Sequence, residues 1–162
     1  MIIGVIADTH IPTRAKELPG KLIEHLKKVD LIMHAGDFVH LEVLEMLEKM
    51  KRVEAVSGNM DEEILKTKLP PRKIVKVGSI KIGLVHGFDI PWDLKYRVPA
   101  NFKKNDVQCV VYGHTHIPRN EKIGGRLYFN PGSPTDTIFA AYSTYGILRI
   151  EGNKIQGEIV KI

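Results

Sequence analysis

Seven side chains in this sequence carry lone pairs suited to metal chemistry, and each lies in a short polar break beside an apolar run. They are Asp8 and His10 in Asp8-Thr9-His10, Asp37 after Gly36, Asn59 after Gly58, His86 before Gly87, and His114 and His116 in Gly113-His114-Thr115-His116. This mixture of oxygen and nitrogen donors suits Mn, Fe, Ni or Zn, whereas calcium prefers oxygen alone. Residues two apart at the end of an extended strand point to the same side. On that geometry Asp8 with His10, and His114 with His116, are each expected to face a cation together, with Gly113 letting the backbone turn tightly. Taken singly, Asp8, Asp37 and Asn59 also read as helix caps or turn residues. Taken together they read as ligands, and a bridging group lets seven donors serve two metals.

Positioning such a set requires several strands that end at one edge. Ile2 to Ala7 is continuously apolar and rich in β-branched residues, the pattern of a buried strand, and Asp8 ends it. After Pro19, Leu22, Ile23, Leu26 and Val29 recur at helical spacing, and Leu31-Ile32-Met33 then leads to Gly36-Asp37, completing a βαβ unit. A second helix with Val43, Leu44, Leu47 and Met50 on one face precedes the strand Val53-Glu54-Ala55-Val56, which ends at Ser57-Gly58-Asn59. Residues 60 to 72 are polar and contain prolines, and read as a loop or broken helix. Ile74 to Val77 and Ile80 to Val85 flank Gly78-Ser79 like a hairpin, and the second of them ends at His86. Beyond Pro91-Trp92 a helix is expected from Leu94 to Lys104, then a strand from Cys109 to Tyr112 ending at Gly113-His114. Hairpins turning at Gly124-Gly125 and Gly152-Asn153 fill the remainder. Alternating β and α early, with mostly β later, predicts one α/β domain over residues 1–162 with two packed sheets. Open α/β sheets bind ligands beyond the carboxyl ends of their strands, where these donors lie.

Composition sets the bounds. With 162 residues, 43% hydrophobic and 27% charged, the chain has the make-up of an ordinary globular protein. The formal charge of +5 comes from lysines scattered among glutamates, so dedicated nucleic-acid binding is not expected. No stretch approaches the ~18 apolar residues of a spanning helix, and the N-terminus lacks a basic leader, so neither membrane insertion nor targeting is expected. The lone Cys109 lies in an apolar run and reads as a buried thiol in a reducing cytoplasm. The sequence leaves homo-oligomerisation open.

The order Asp-x-His, Gly-Asp, Gly-Asn, His-Gly, Gly-His-Thr-His resembles the calcineurin-like metallophosphoesterase superfamily over nearly the full chain. Asn130-Pro131-Gly132-Ser133 and His10-Ile11-Pro12 are similar to its small bacterial and archaeal phosphodiesterase branch, which includes the phosphoesterase-like subunit of eukaryotic retromer. The resemblance implies a four-layer α/β/β/α sandwich of two mixed sheets with two divalent transition metals at one edge. It implies that Asp8, His10 and His116 hold one metal, that Asn59, His86 and His114 hold the other, and that Asp37 bridges. A site rich in imidazole and carboxylate puts Mn and Ni ahead of Fe and Zn. The implied activity is hydrolysis of a small-molecule phosphodiester by in-line attack of a hydroxide bridging the metals, with Asp37, Asn59 and His86 in catalytic roles. The alternative is a protein-binding scaffold that keeps the pocket with little or no catalysis.

Two positions depart from the family pattern. Many relatives have histidine directly after the motif asparagine, where this chain has Met60, which cannot give a proton to a leaving group; Asp61 is the first substitute to consider. Where relatives often carry His-Gly-His, this chain has His86-Gly87-Phe88. Met60 reads as filler of an apolar gap, and Phe88 and Trp92 as core or cleft lining, each about as readily as a contact to substrate, and none is given a catalytic part. His34 reads as a core or supporting histidine, His25 and His40 as ordinary helix-region residues, and Asn130-Pro131-Gly132-Ser133 as a tight turn backing the metal cleft.

Overall fold

The computed structural model describes residues 1–87, 102–103, 106–138 and 140–162. Within them lie two five-stranded mixed sheets. In the first, β1 (Ile2–Ile6), β2 (Leu31–His34) and β3 (Val53–Ala55) are parallel, while β9 (Thr144–Glu151) and β10 (Lys154–Lys161) continue the sheet antiparallel from β1. The second has β4 (Arg72–Val77), β5 (Ile80–Val85), β6 (Cys109–Val111), β7 (Arg119–Ile123) and β8 (Arg126–Asn130) in the order β4-β5-β6-β8-β7. The three expected hairpins form, with Val77 opposite Ile80, Ile123 opposite Arg126, and Glu151 opposite Lys154.

The continuous apolar character of β1 follows from its place at the centre of a sheet covered on both faces. Ile3 and Val5 point inward and pack with Met33 against Ile82, Val111 and Phe129 of the second sheet. Ile6 points outward, with Ile32, onto α1 (Gly20–Leu26) and α2 (Leu41–Met50) through Leu22, Leu26, Leu44 and Leu47. Gly4 permits this: a Cβ there would stand 2.6 Å from Leu26 Cδ2. The outer face of the second sheet is covered by Phe102 and Val107, which pack with Val85, Val110 and Tyr112. The Phe102 ring lies so close over Gly83 that a Cβ would meet it at 2.7 Å. The helix expected from Leu94 to Lys104, and Phe88 and Trp92, lie outside the described residues. The rest has the mixed two-sheet α/β architecture expected from the sequence.

One element settles an alternative that the sequence left open. Residues 60–72 contain a six-residue helix, α3 (Glu63–Lys68), seated by the buried Leu65 and by Glu62, whose Oε1 accepts the Leu41 amide at 2.7 Å. So short a helix has no periodicity to read; tertiary contacts fix it. No helix among the described residues is long and apolar enough to cross a membrane.

The two sheets interlock at Phe129, which is fully buried. Its ring lies against Gly146 and Gly157, where a Cβ at 146 would overlap the ring and one at 157 would stand 2.6 Å from Cε2. Gly146→Ala is therefore expected to cost about 1–3 kcal/mol through overpacking, read as a lower denaturant midpoint at unchanged slope. An unchanged midpoint would show that the sheets are not held in register by this ring.

Candidate metal centre

The polar segments that follow β1, β2, β3, β5 and β6 meet at one edge of the sandwich. Two groups of donors result, Asp8 with His10 and His116, and Asp37 with His86 and His114; within each group the ligand atoms lie within 4.8 Å of one another. Asn59 joins the second group, its Oδ1 being 3.0 Å from His86 Nε2. Asp37 stands between them: its Oδ2 is 3.2 Å from His86 Nε2 and 3.6 Å from His10 Nε2. All seven residues singled out in the sequence thus converge. His25 and His40 stand apart, His25 bonded to the Tyr145 hydroxyl and His40 exposed.

The route by which they converge differs from the extended geometry expected. β1 ends at Ile6 and β6 at Val111, and the donors beyond them adopt left-handed backbone: φ is 53° at Asp8, 43° at His10, 60° at Asp37, 71° at His114 and 59° at His116. Each such residue costs an L side chain roughly 1–2 kcal/mol, and Val39 is the only other non-glycine residue with positive φ among those described. Strain concentrated on five of seven candidate donors marks a functional site. Gly113 serves space rather than turning, because a Cβ there would come within 2.8 Å of Asp8 Oδ2. At Gly58 a Cβ would overlap the Asp37 carboxylate.

Buried polar groups hold this backbone in place. Ser133 donates its hydroxyl to the Asp8 carbonyl at 2.7 Å, and Asn130 donates to the Gly113 carbonyl at 3.0 Å. The Asn130-Pro131-Gly132-Ser133 turn is therefore a buttress behind the donors. The His114 amide donates to Asp8 Oδ2 at 2.9 Å, and the Met60 amide to Asp37 Oδ1 at 2.8 Å, while the Met60 side chain is 54% exposed and fills no gap. Asp61 accepts the Val39 amide at 2.9 Å on one oxygen and the Gly58 amide at 2.7 Å on the other. Those bonds make it a clamp on the Asn59 loop and argue against its service as a proton donor. His34 is buried as expected; its Nδ1 accepts the Gly36 amide, so Nε2 carries the proton toward Thr9 Oγ1 at 3.1 Å.

The imidazoles are aimed by their other nitrogens. His86 Nδ1 donates to the Ala35 carbonyl at 2.8 Å, which turns Nε2 toward Asp37 and Asn59. His116 Nδ1 bonds the carboxylate of Asp136, a residue only 1% exposed, and presents Nε2 to His10 Nε2 at 3.1 Å. A carboxylate behind a histidine is the usual backing of a metal-bound imidazole. Asp136 lies in no motif of the sequence. Its one local signal is the preceding turn, where Ser133 Oγ accepts the Asp136 amide at 3.0 Å.

Burial and mutual charge set the protonation of the cation-free site. Burial raises Asp8 to about 6, against the pull of His86 and His116, and burial lowers His10 to about 4. Burial would also lower His86, yet the hydrogen bond to Asp37 and the charges of Asp8 and Asp37 carry it up to about 9. Asp37 ends below the usual carboxylate range because His86 and the Met60 amide outweigh its burial. A proton on His86 thus balances two buried carboxylates. Neutral His10 presents its Nε2 beside His116 Nε2 and Asp8. Both features fit divalent cations, whose charge would replace that proton and take up the His10 lone pair.

Residues 1–153 match the family model of the calcineurin-like phosphoesterase superfamily domain. A probable metallophosphoesterase of Methanothermobacter thermautotrophicus is 35% identical over 99% of this chain and 92% of its own length. Among solved structures, an archaeal phosphodiesterase superposes with a TM-score of 0.75 at 27% identity, covering 99% of this chain and 100% of that one. Vps29 of Entamoeba histolytica, in complex with zinc, does so with a TM-score of 0.80 at 25% identity, covering 99% of each chain. The chain belongs to the calcineurin-like phosphoesterase superfamily, a family of metallophosphoesterases.

Asp136→Ala is expected to weaken binding of Mn by about 10–100-fold through loss of the His116 backing, measured by calorimetric titration of the metal-free protein. Affinity equal to the parent's would remove Asp136 from the site.

Proposed function

We propose that this protein is a phosphodiesterase that hydrolyses small diesters with good leaving groups. The observation that carries the reading is the pair of adjacent buried donor groups with Asp37 between them. Asp8, His10 and His116 would hold one divalent cation, Asn59, His86 and His114 the other, with Asp37 shared; Mn or Ni suits this donor set best. Two such cations supply charge for the phosphoryl oxygens and a water of lowered pKa.

The chain's own contribution is orientation of the donor atoms. Ala35, Asp136 and the amides of Met60 and His114 fix the donor atoms before substrate arrives, so little reorganisation is left for the reaction. Asn59 and His86 line an open cleft and Asp37 stands between the two donor groups, and these three are assigned the catalytic roles. Proton supply to the leaving group is the weak point. Met60 has no proton to give, and Asp61 spends both oxygens on backbone amides. An unaided leaving oxygen must depart as the anion, which favours aryl over alkyl esters by ~10²–10⁴-fold. A cytoplasmic location, suggested by the buried thiol of Cys109, belongs to this proposal.

A second reading, a binding scaffold, is favoured by the likeness to Vps29 and by Ile117 and Ile138, 60% and 72% exposed and adjacent in sequence to His116 and near Asp136. One assay separates the two. With added Mn, the protein is expected to release nitrophenolate from bis(p-nitrophenyl) phosphate, and Asp37→Ala and His86→Ala to lose at least ~10²-fold in kcat/KM. Rates across a series of aryl leaving groups should fall steeply as leaving-group pKa rises; a flat series would mean that some other group delivers the proton. No turnover with any divalent metal would favour the scaffold.

A further inference from the structure

Past their last residues, β1 and β2 continue as a bonded pair of loops. The Asp8 amide donates to the Gly36 carbonyl at 3.0 Å, the His10 amide to the Asp37 carbonyl at 3.1 Å and the Ile11 amide to the Phe38 carbonyl at 3.1 Å. Asp8 and His10 belong to the first donor group, and Asp37 stands between the two groups. The offset of one loop against the other therefore sets how Asp37 sits relative to Asp8 and His10, and with it the spacing of two cations that share Asp37.

Two fully buried side chains outside the donor set tie these loops together. His34 Nδ1 accepts the Gly36 amide at 3.2 Å, its Nε2 donates to Thr9 Oγ1 at 3.1 Å, and the Thr9 hydroxyl donates on to the Asp37 carbonyl at 3.4 Å. A neutral imidazole that accepts at one nitrogen donates at the other, so the direction of all three bonds is fixed. The chain of bonds starts at the amide of Gly36 and ends at the carbonyl of Asp37. It brackets that segment from both sides and anchors it on Thr9, the residue between Asp8 and His10. Phe38 stacks on the His34 ring, with centroids 3.4 Å and planes 15° apart, and holds the imidazole in its plane. Asp8, His10, Gly36 and Asp37 all have positive φ, a backbone that persists only where its surroundings over-determine it. His34 and Thr9 supply such surroundings on both loops at once.

Resting on the two-cation arrangement proposed above, we infer that His34 and Thr9 are positioning residues that hold Asp37 in register with Asp8 and His10, and so set the spacing and coupling of the two cations. Neither touches a substrate; both act through the backbone of the donors.

Electron paramagnetic resonance of the protein loaded with two Mn per chain tests this, together with calorimetric titration of Mn into the metal-free protein. Two Mn ions that share a carboxylate are exchange-coupled, and the parent is expected to show the coupled signal. Thr9→Val keeps the shape of the side chain and removes the hydroxyl; it is expected to weaken the coupling and to lower the affinity for the second Mn by about 10–100-fold. His34→Phe, which leaves a ring to stack on Phe38, should do the same, while Thr9→Ser should retain the parent's signal and affinity. Should His34→Phe fail to fold, the comparison of Thr9→Val with Thr9→Ser decides. Parental coupling and affinities in Thr9→Val overturn the inference even where its unfolding midpoint falls, since a merely structural role moves only the midpoint, and they leave the two-cation arrangement intact. A parent protein that binds a single Mn, or two without coupling, overturns the sharing of Asp37, and the inference with it.

Discussion

Asp37 and Asp8 are buried carboxylates among imidazoles, and nearly everything at this edge of the fold answers to that one electrostatic constraint. An isolated buried anion is costly enough to change its protonation or recruit a partner. Here a proton held on His86 performs that service between the two acids. The same arrangement makes the pocket selective for positive charge, since a divalent cation offsets both carboxylates and removes the need for the proton. Structure and cation preference are thus one phenomenon.

Holding five donors in left-handed backbone requires rigid support, and the second sheet provides it. The Asn130 to Ser133 turn after β8 grips the backbone of Asp8 and Gly113, while Asp61 clamps Gly58 and Val39. Each of these groups is buried and bonded, as a low-dielectric polar network must be if it is to rigidify rather than weaken the fold. The sheet packing around Phe129 keeps the two halves of the site at a fixed separation. The geometry of the donor site therefore depends on a hydrophobic interlock of residues other than the donors.

Much of this was legible in the sequence, for stated reasons. Strand–donor order is a local pattern, so the ends of β1, β2, β3, β5 and β6 could be found from apolar runs that stop at Asp8, Gly36, Ser57, His86 and Gly113. The backbone conformation at those ends was not legible: an i, i+2 pair of donors fits an extended strand as well as the left-handed turns that occur. Asp136 escaped notice because its role arises only when a loop twenty residues later in the chain folds back behind His116. Asp61 illustrates the opposite error, since its place after Asn59 suggested chemistry while its two amide partners, Val39 and Gly58, give it a structural duty. Helix α3 was too short for periodicity, and the burial of Leu65 with the Glu62–Leu41 hydrogen bond decides it.

The central claim is that seven strand-end donors hold two cations with Asp37 between them. Anomalous diffraction from crystals of the Mn-loaded protein, recorded on either side of the Mn edge, tests it most directly. Two peaks are expected, one among Asp8, His10 and His116 and one among Asn59, His86 and His114, each within coordinating reach of Asp37. A single peak, or two peaks of which one avoids these residues, would contradict the account.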